Sequence, residues 1–244
     1  MFVICTNGCE QTILLAFLDH SSLPSNISTS VLILATLLNT PKVPSSQKVK
    51  PFAGARKDQI IEVAKKLIIN EGVSAVTMRR IARELGISPG NLHYHFPNYG
   101  LMLSAIVDSV LAPYLTKFEA LKAESQGDPV TALTAVIEYV LDDLGKKETT
   151  IFFPELWALA NRDKKAEQQM RKLYDIYMAV LIGLINNIRP DLNKKRTKEI
   201  ALFICALIEG QTVFIGYEST HKQHRRALKD ITLTTVMKLV METD

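Results

Sequence analysis

TMRRIARELGISPGNLHYHF, residues 77–96, decides how this chain is read. Thr77 is placed to cap a helix in which Ile81, Ala82 and Leu85 share an inward face while Arg79, Arg80 and Arg83 stay outside. Gly86 suits the left-handed residue that ends a helix without a Cβ penalty, and Ile87 then drops into the core. Ser88 and Pro89 restart the helix: the hydroxyl accepts from a first-turn N–H, and proline there lacks only an N–H that would be unpaired anyway. The second helix, 89–95, presents Gly90, Asn91, His93 and Tyr94 outward over Leu92 and Phe96. Two short helices with this turn and this polar outer face have the shape that enters a DNA major groove.

A serine cap and a glycine stop also occur in ordinary helical hairpins, so the flanks decide. Upstream, residues 56–72 place Ile60, Val63, Ala64, Leu67 and Ile68 on one face at helical spacing, closed by Glu71-Gly72. Downstream, Pro97-Asn98 breaks the chain before a helical pattern resumes over 101–118. With these flanks, residues 56 to about 110 resemble the DNA-binding domain of the tetracycline-repressor (TetR) family of bacterial regulators. The resemblance is carried by Ile60-Ile61-x-x-Ala64, Glu71-Gly72, Thr77, Ile81-Ala82, Leu85-Gly86-Ile87-Ser88, Gly90-Asn91-Leu92 and Tyr94-His95-Phe96. His93 stands where the family most often has tyrosine, and Tyr99 where it most often has lysine. The residues expected at DNA are Lys57, Thr77, Arg79, Arg80, Ser88, Pro89, Gly90, Asn91, His93, Tyr94 and Tyr99. Lys57, Arg79 and Arg80 fall to phosphates, Asn91 to a base edge.

Charge supports this independently. Residues 1–41 carry two acids and no Lys or Arg, residues 42–100 carry ten bases and four acids, and residues 101–244 carry nineteen of each. The net charge of +4 therefore comes from the helix-turn-helix segment, the footprint expected of a head that meets a polyanion. The expected class is all-α: an N-terminal three-helix helix-turn-helix domain followed by a helical ligand-binding and dimerisation domain. The boundaries are an extension over 1–50, a DNA-binding domain over 51–100 and a regulatory domain over 101–244. Helices are expected over about 100–124, 129–144, 150–161, 164–188, 194–217 and 224–242, punctuated by Gly127-Asp128-Pro129, Asn161-Arg162-Asp163 and Arg189-Pro190-Asp191.

The first fifty residues match nothing in the resemblance. Their apolar runs, 12–18 and 31–38, are too short to span a bilayer, and the first lysine is Lys42, so they read as an overextended start or a dispensable extension. Lys48 and Lys50 in the following linker could form a basic arm. Cys5, Cys9 and Cys205 have no pairing logic, which fits a reducing cytoplasm. His93 and His95 point to different faces of a helix, and no phosphate loop, HExxH or nucleophile elbow is present, so neither a metal site, a cofactor nor catalysis is expected.

Two features mark the second half. Residues 197–216, TKEIALFICALIEGQTVFIG, are apolar on nearly every face, so they are buried either within their own domain or also against a second copy. Ala201, Ile204, Cys205 and Ile208 are the residues expected at that dimer interface, since late helices of the TetR family pair across a twofold axis. The aromatic set Phe152, Phe153, Trp157, Tyr174 and Tyr177 is either core or, with Glu155 and Gln211, the lining of an effector pocket of the kind the family uses. Residues 155–163 and 208–210 are similar to the choline-responsive branch. The expected function is a homodimeric transcriptional repressor on a palindromic operator in double-stranded DNA, released by a small-molecule effector, with no membrane partner. The alternatives are an activator or effector-independent DNA binder, or a helical adaptor without DNA affinity.

Overall fold

Those periodicities resolve, in a computed structural model that describes residues 53–242, into nine α-helices and two short 3₁₀ turns among the described residues. The expectations for residues 1–50, including Cys5, Cys9, Lys42, Lys48 and Lys50, lie outside them. The helices are α1 (Ala53–Glu71), α2 (Met78–Glu84), α3 (Pro89–His95), α4 (Tyr99–Glu124), α5 (Pro129–Asp143), α6 (Lys147–Ala160), α7 (Lys164–Ile188), α8 (Lys194–Ile215) and α9 (Arg225–Glu242). The 3₁₀ turns are Val73–Ala75 and Lys222–His224.

Side-chain caps explain where most of the helices begin. Thr77, Ser88, Asn98, Asp128, Asp163 and Asn193 each accept a backbone N–H of the first turn they precede. Of the three expected breaks, the third differs in detail: Asn193 is the cap of α8, while Asp191 is held by Arg189 at 2.7 Å. The helix expected from residue 150 begins a turn earlier, at Lys147, with Thr149 already buried in its first turn.

Two apolar clusters organise the packing. In the first, Ile60, Ala64, Leu67 and Ile68 of α1 meet Ile81, Ala82, Leu92 and Phe96 of the helix-turn-helix, and the cluster continues without a break into Met102, Leu103 and Ile106 of α4 and Phe152 and Leu156 of α6. The second gathers α5, α7, α8 and α9 around Leu133, Ile137, Leu181, Ile185, Ile204 and Val236. At about 1.5–3 kcal/mol for each large side chain withdrawn from water, these clusters outweigh any single polar contact. Helix α4 runs through both. By length and composition alone it could cross a membrane, but Asp108 on it pairs with Lys172 of α7 at 2.7 Å, and its apolar face is filled by neighbouring helices.

The class of the sequence reading holds: the described residues form a helix-turn-helix head followed by a helical body, with helices as their regular structure.

Candidate nucleic-acid interface

The turn of the head is built as its residue types require. Gly86 has φ +62°; its N–H donates to the Arg83 carbonyl at 3.1 Å and that of Ile87 to the Ala82 carbonyl at 3.0 Å, the paired bonds that close a helix through a left-handed glycine. Ser88 Oγ then accepts from the Asn91 N–H at 3.2 Å, and Thr77 Oγ1 from the Arg80 N–H at 3.1 Å. These bonds fix the angle at which α3 leaves the head.

Ser88, Pro89, Gly90, Asn91, His93 and Tyr94 all lie exposed on one end of the head, and Tyr94 keeps 79% of its surface open. A tyrosine that open on a well-packed domain is available to a partner. His93 Nδ1 lies 3.3 Å from the Pro97 carbonyl, which favours a proton on Nδ1 and leaves Nε2 to solvent. Lys57 stands over the Phe96 ring, 5.9 Å from its centroid, with its ammonium outside. Arg79 and Arg83 are exposed on α2, with no ion pair to a described residue.

Two of the residues expected at DNA have partners within the subunit. Arg80 donates to both oxygens of Glu71 at 2.8 and 3.0 Å and to Glu84 at 2.7 Å, and these carboxylates raise its pKa further. Its charge is compensated twice, and it pins α1 to α2. Tyr99 is half-buried beside Asp163, with its hydroxyl raised by burial first and that carboxylate second, and it packs against the first apolar cluster. It is spent on seating the head against the body.

The residues expected around an effector do not form one pocket. Phe152 is a core residue. The Glu155 carboxylate turns to the head, where it accepts the Val73 N–H at 2.6 Å and lies against Gly72, whose φ of +83° brings the backbone close. Trp157 and Tyr174 stay together: the indole N–H donates to the Tyr174 hydroxyl at 2.8 Å. Beside them stands Glu209, which burial pushes up to about 7 while the Tyr174 hydrogen bond partly holds it down. Tyr177 is buried on the same side, stacked on Phe118, with a hydroxyl that has no hydrogen-bond partner. Gln211 faces the other way, donating to Thr232 Oγ1 of α9 at 2.9 Å. Sequence reading missed Glu155 as a head contact and Glu209 as part of the aromatic group; apolar periodicity carries no signal for either. A further carboxylate, Asp143, is buried but satisfied by Tyr114, Thr149 and Lys146, tying α4, α5 and α6.

The expected dimer residues also move. Ala201, Ile204, Cys205 and Ile208 sit inside the subunit's own second cluster and have nothing left to offer a second copy. What α8 leaves open is the opposite stripe: Leu202, Phe203, Ala206, Gly210, Val213 and Phe214, with Phe203 46%, Val213 74% and Phe214 62% exposed. Helix α9 adds Ile231 and Met241. An apolar stripe at helical spacing, open along two helices, is the signature of a covered face rather than a solvated one.

Residues 60–105 match the model of the family described as bacterial regulatory proteins, tetR family. Over 162 residues the chain is 26% identical to an HTH-type transcriptional regulator from the dhlA 5′ region of Xanthobacter autotrophicus, covering 65% of this chain and 79% of that one. Its backbone resembles Salmonella enterica GusR with a TM-score of 0.62 at 18% identity, over 80% of this chain and 99% of that one. It also resembles a transcriptional regulator from Saccharomonospora viridis solved in complex with choline, with a TM-score of 0.57 at 19% identity over 78% and 97% of the two chains.

Proposed function

We propose, for a chain that belongs to the TetR family of transcriptional regulators, that it acts as a homodimeric repressor which a small molecule releases from a palindromic operator. The observation that carries the DNA half is the exposed α3 face, Ser88 to Tyr94, flanked by the uncompensated cations Lys57, Arg79 and Arg83. A helix of this size presents its N-terminal side chains to base edges, and the flanking cations neutralise phosphates on either side. The open stripe on α8 and α9 supports the dimer, since an isologous pairing of that face would cover it and set two heads against two half-sites. The site of action is the cytoplasm, where bacterial DNA lies.

Release follows from the contacts of α6. Glu155 on this helix grips the head at Val73, and Trp157, two residues on, belongs to the Tyr174–Glu209 group in the body. A ligand that shifts α6 therefore moves the head, and it changes occupancy by no more than its differential affinity for the two arrangements. Pro113 within α4 lacks the N–H that would close the helix there and offers a point of bending. That a protein with this fold was solved in complex with choline supports a small-molecule ligand.

The experiment is retention of fragmented genomic DNA by the purified chain, sequenced, followed by a small-molecule screen for release. Recovery of one inverted repeat with a compound that elutes it supports the reading. Even recovery of all fragments overturns sequence-specific regulation; a specific site that no compound affects favours the effector-independent alternative.

A further inference from the structure

A cavity of about 500 Å³ opens between α5, α8 and α9. It is separate from the Trp157–Tyr174–Glu209 group: Gln211 lines it, and Glu209, two residues earlier on α8, faces another side of the helix. Its volume is that of a small-molecule site.

The lining has three parts. Leu141 of α5 and Ile215 of α8 supply an apolar wall. Gln211 supplies an acceptor: the residue is only 7% exposed, its amide nitrogen is spent on the Thr232 hydroxyl and the Leu207 carbonyl, and its Oε1 is buried with no hydrogen-bond partner among the described residues. Buried carbonyl oxygens are rarely left so, and the missing partner must be a donor. At the mouth, Arg225 and Arg226 supply charge. Arg225 donates Nε to the Ile215 carbonyl and Nη2 to the Gly216 carbonyl, which fixes the guanidinium without neutralising it. Its Nη1 lies against Gly145, where a Cβ would stand 3.1 Å away, so glycine at that turn makes room for it. Three carboxylates also line the cavity: Lys229 holds Asp142 at 2.9 Å and lies within the field of Glu138 and Asp230, and neither arginine forms an ion pair with a described residue.

We infer that this cavity binds a small carboxylate that also carries an N–H or O–H donor. The carboxylate pairs with Arg225 and Arg226, the donor satisfies Gln211 Oε1, and the apolar body lies along Leu141 and Ile215. Such a ligand bridges α5 to the start of α9, and its binding does not depend on the proposed regulator.

Calorimetry on the full chain tests this with four probes that share an isobutyl tail: leucine, 2-hydroxy-4-methylpentanoate, 4-methylpentanoate and 3-methylbutylamine. The first two should bind about tenfold tighter than 4-methylpentanoate, and the amine should not bind. Arg226→Ala, at an exposed position, should weaken both by about tenfold, and Gln211→Leu should erase their advantage over 4-methylpentanoate. If none of the four binds, if the amine binds as well as the acids, or if Arg226→Ala changes nothing, the inference is wrong. DNA retention measured on the same samples separates the two readings. Intact DNA binding without ligand binding removes this inference alone, and ligand binding without DNA binding removes the regulator alone.

Discussion

Phe214→Ala should convert the proposed dimer into a dissociating one. Phe214 is 62% exposed in the subunit, so pairing of the α8 stripe would withdraw a little over half of its side chain from water. Full burial of such a side chain contributes about 1.5–3 kcal/mol, which makes this share roughly 1.5 kcal/mol per subunit. A twofold interface counts the change twice, giving about 3 kcal/mol, or roughly a hundredfold in the dimer dissociation constant. Sedimentation over a dilution series reads that directly, with the melting temperature of the monomeric fraction unchanged. The control is Ile208→Ala, at a position 0% exposed inside the second cluster, which should cost about 2–5 kcal/mol of folding. An unaltered dimer constant for Phe214→Ala would show that the copies meet elsewhere and that this stripe is covered by something else.

Three further substitutions probe the connections. Glu155→Ala removes the acceptor of the Val73 N–H, so amide exchange at Val73 should accelerate by about tenfold; an unchanged rate would mean the head is held without it. Arg80→Ala should lower the melting temperature yet leave the salt dependence of DNA binding intact, whereas Arg79→Ala should flatten that dependence by about 0.9 in slope. Equal effects from the two would return Arg80 to the phosphates. Glu209 carries a folded pKa of about 7 against an ordinary 4.5, so the folded chain holds this proton over a range where the unfolded chain has lost it. Stability should therefore fall as pH rises from about 4.5 and level off above about 7, and Glu209→Gln should flatten that decline; denaturant titrations of both chains across this range decide it.

The helix-turn-helix was legible because its residues act locally: Thr77 and Ser88 cap, Gly86 turns, and the periodic apolar positions of α1 have few places to go. Residues whose roles depend on distant partners were not. Arg80 reads as a surface cation until Glu71 and Glu84 are seen on either side of it, although its spacing to Glu84 was a visible hint. Glu155 meets Val73 across eighty-two residues, and no periodicity encodes that. On α8 the reading identified a helix apolar all round but chose its inner face for the partner. Sorting the same residues by angle separates Ile204 and Ile208, which lie inside the second cluster, from Phe203, Val213 and Phe214, which stay exposed.

The central claim is that α3 reads sequence while the cations beside it anchor. Binding of the wild-type chain and of Asn91→Ala to a panel of single-base variants of the retained DNA site tests it most directly. Asn91 is exposed one turn into α3, where its amide can pair with an adenine edge. The account predicts that Asn91→Ala loses roughly 1–3 kcal/mol of discrimination at one position in each half-site and keeps its preferences elsewhere. An unaltered preference at every position would contradict it.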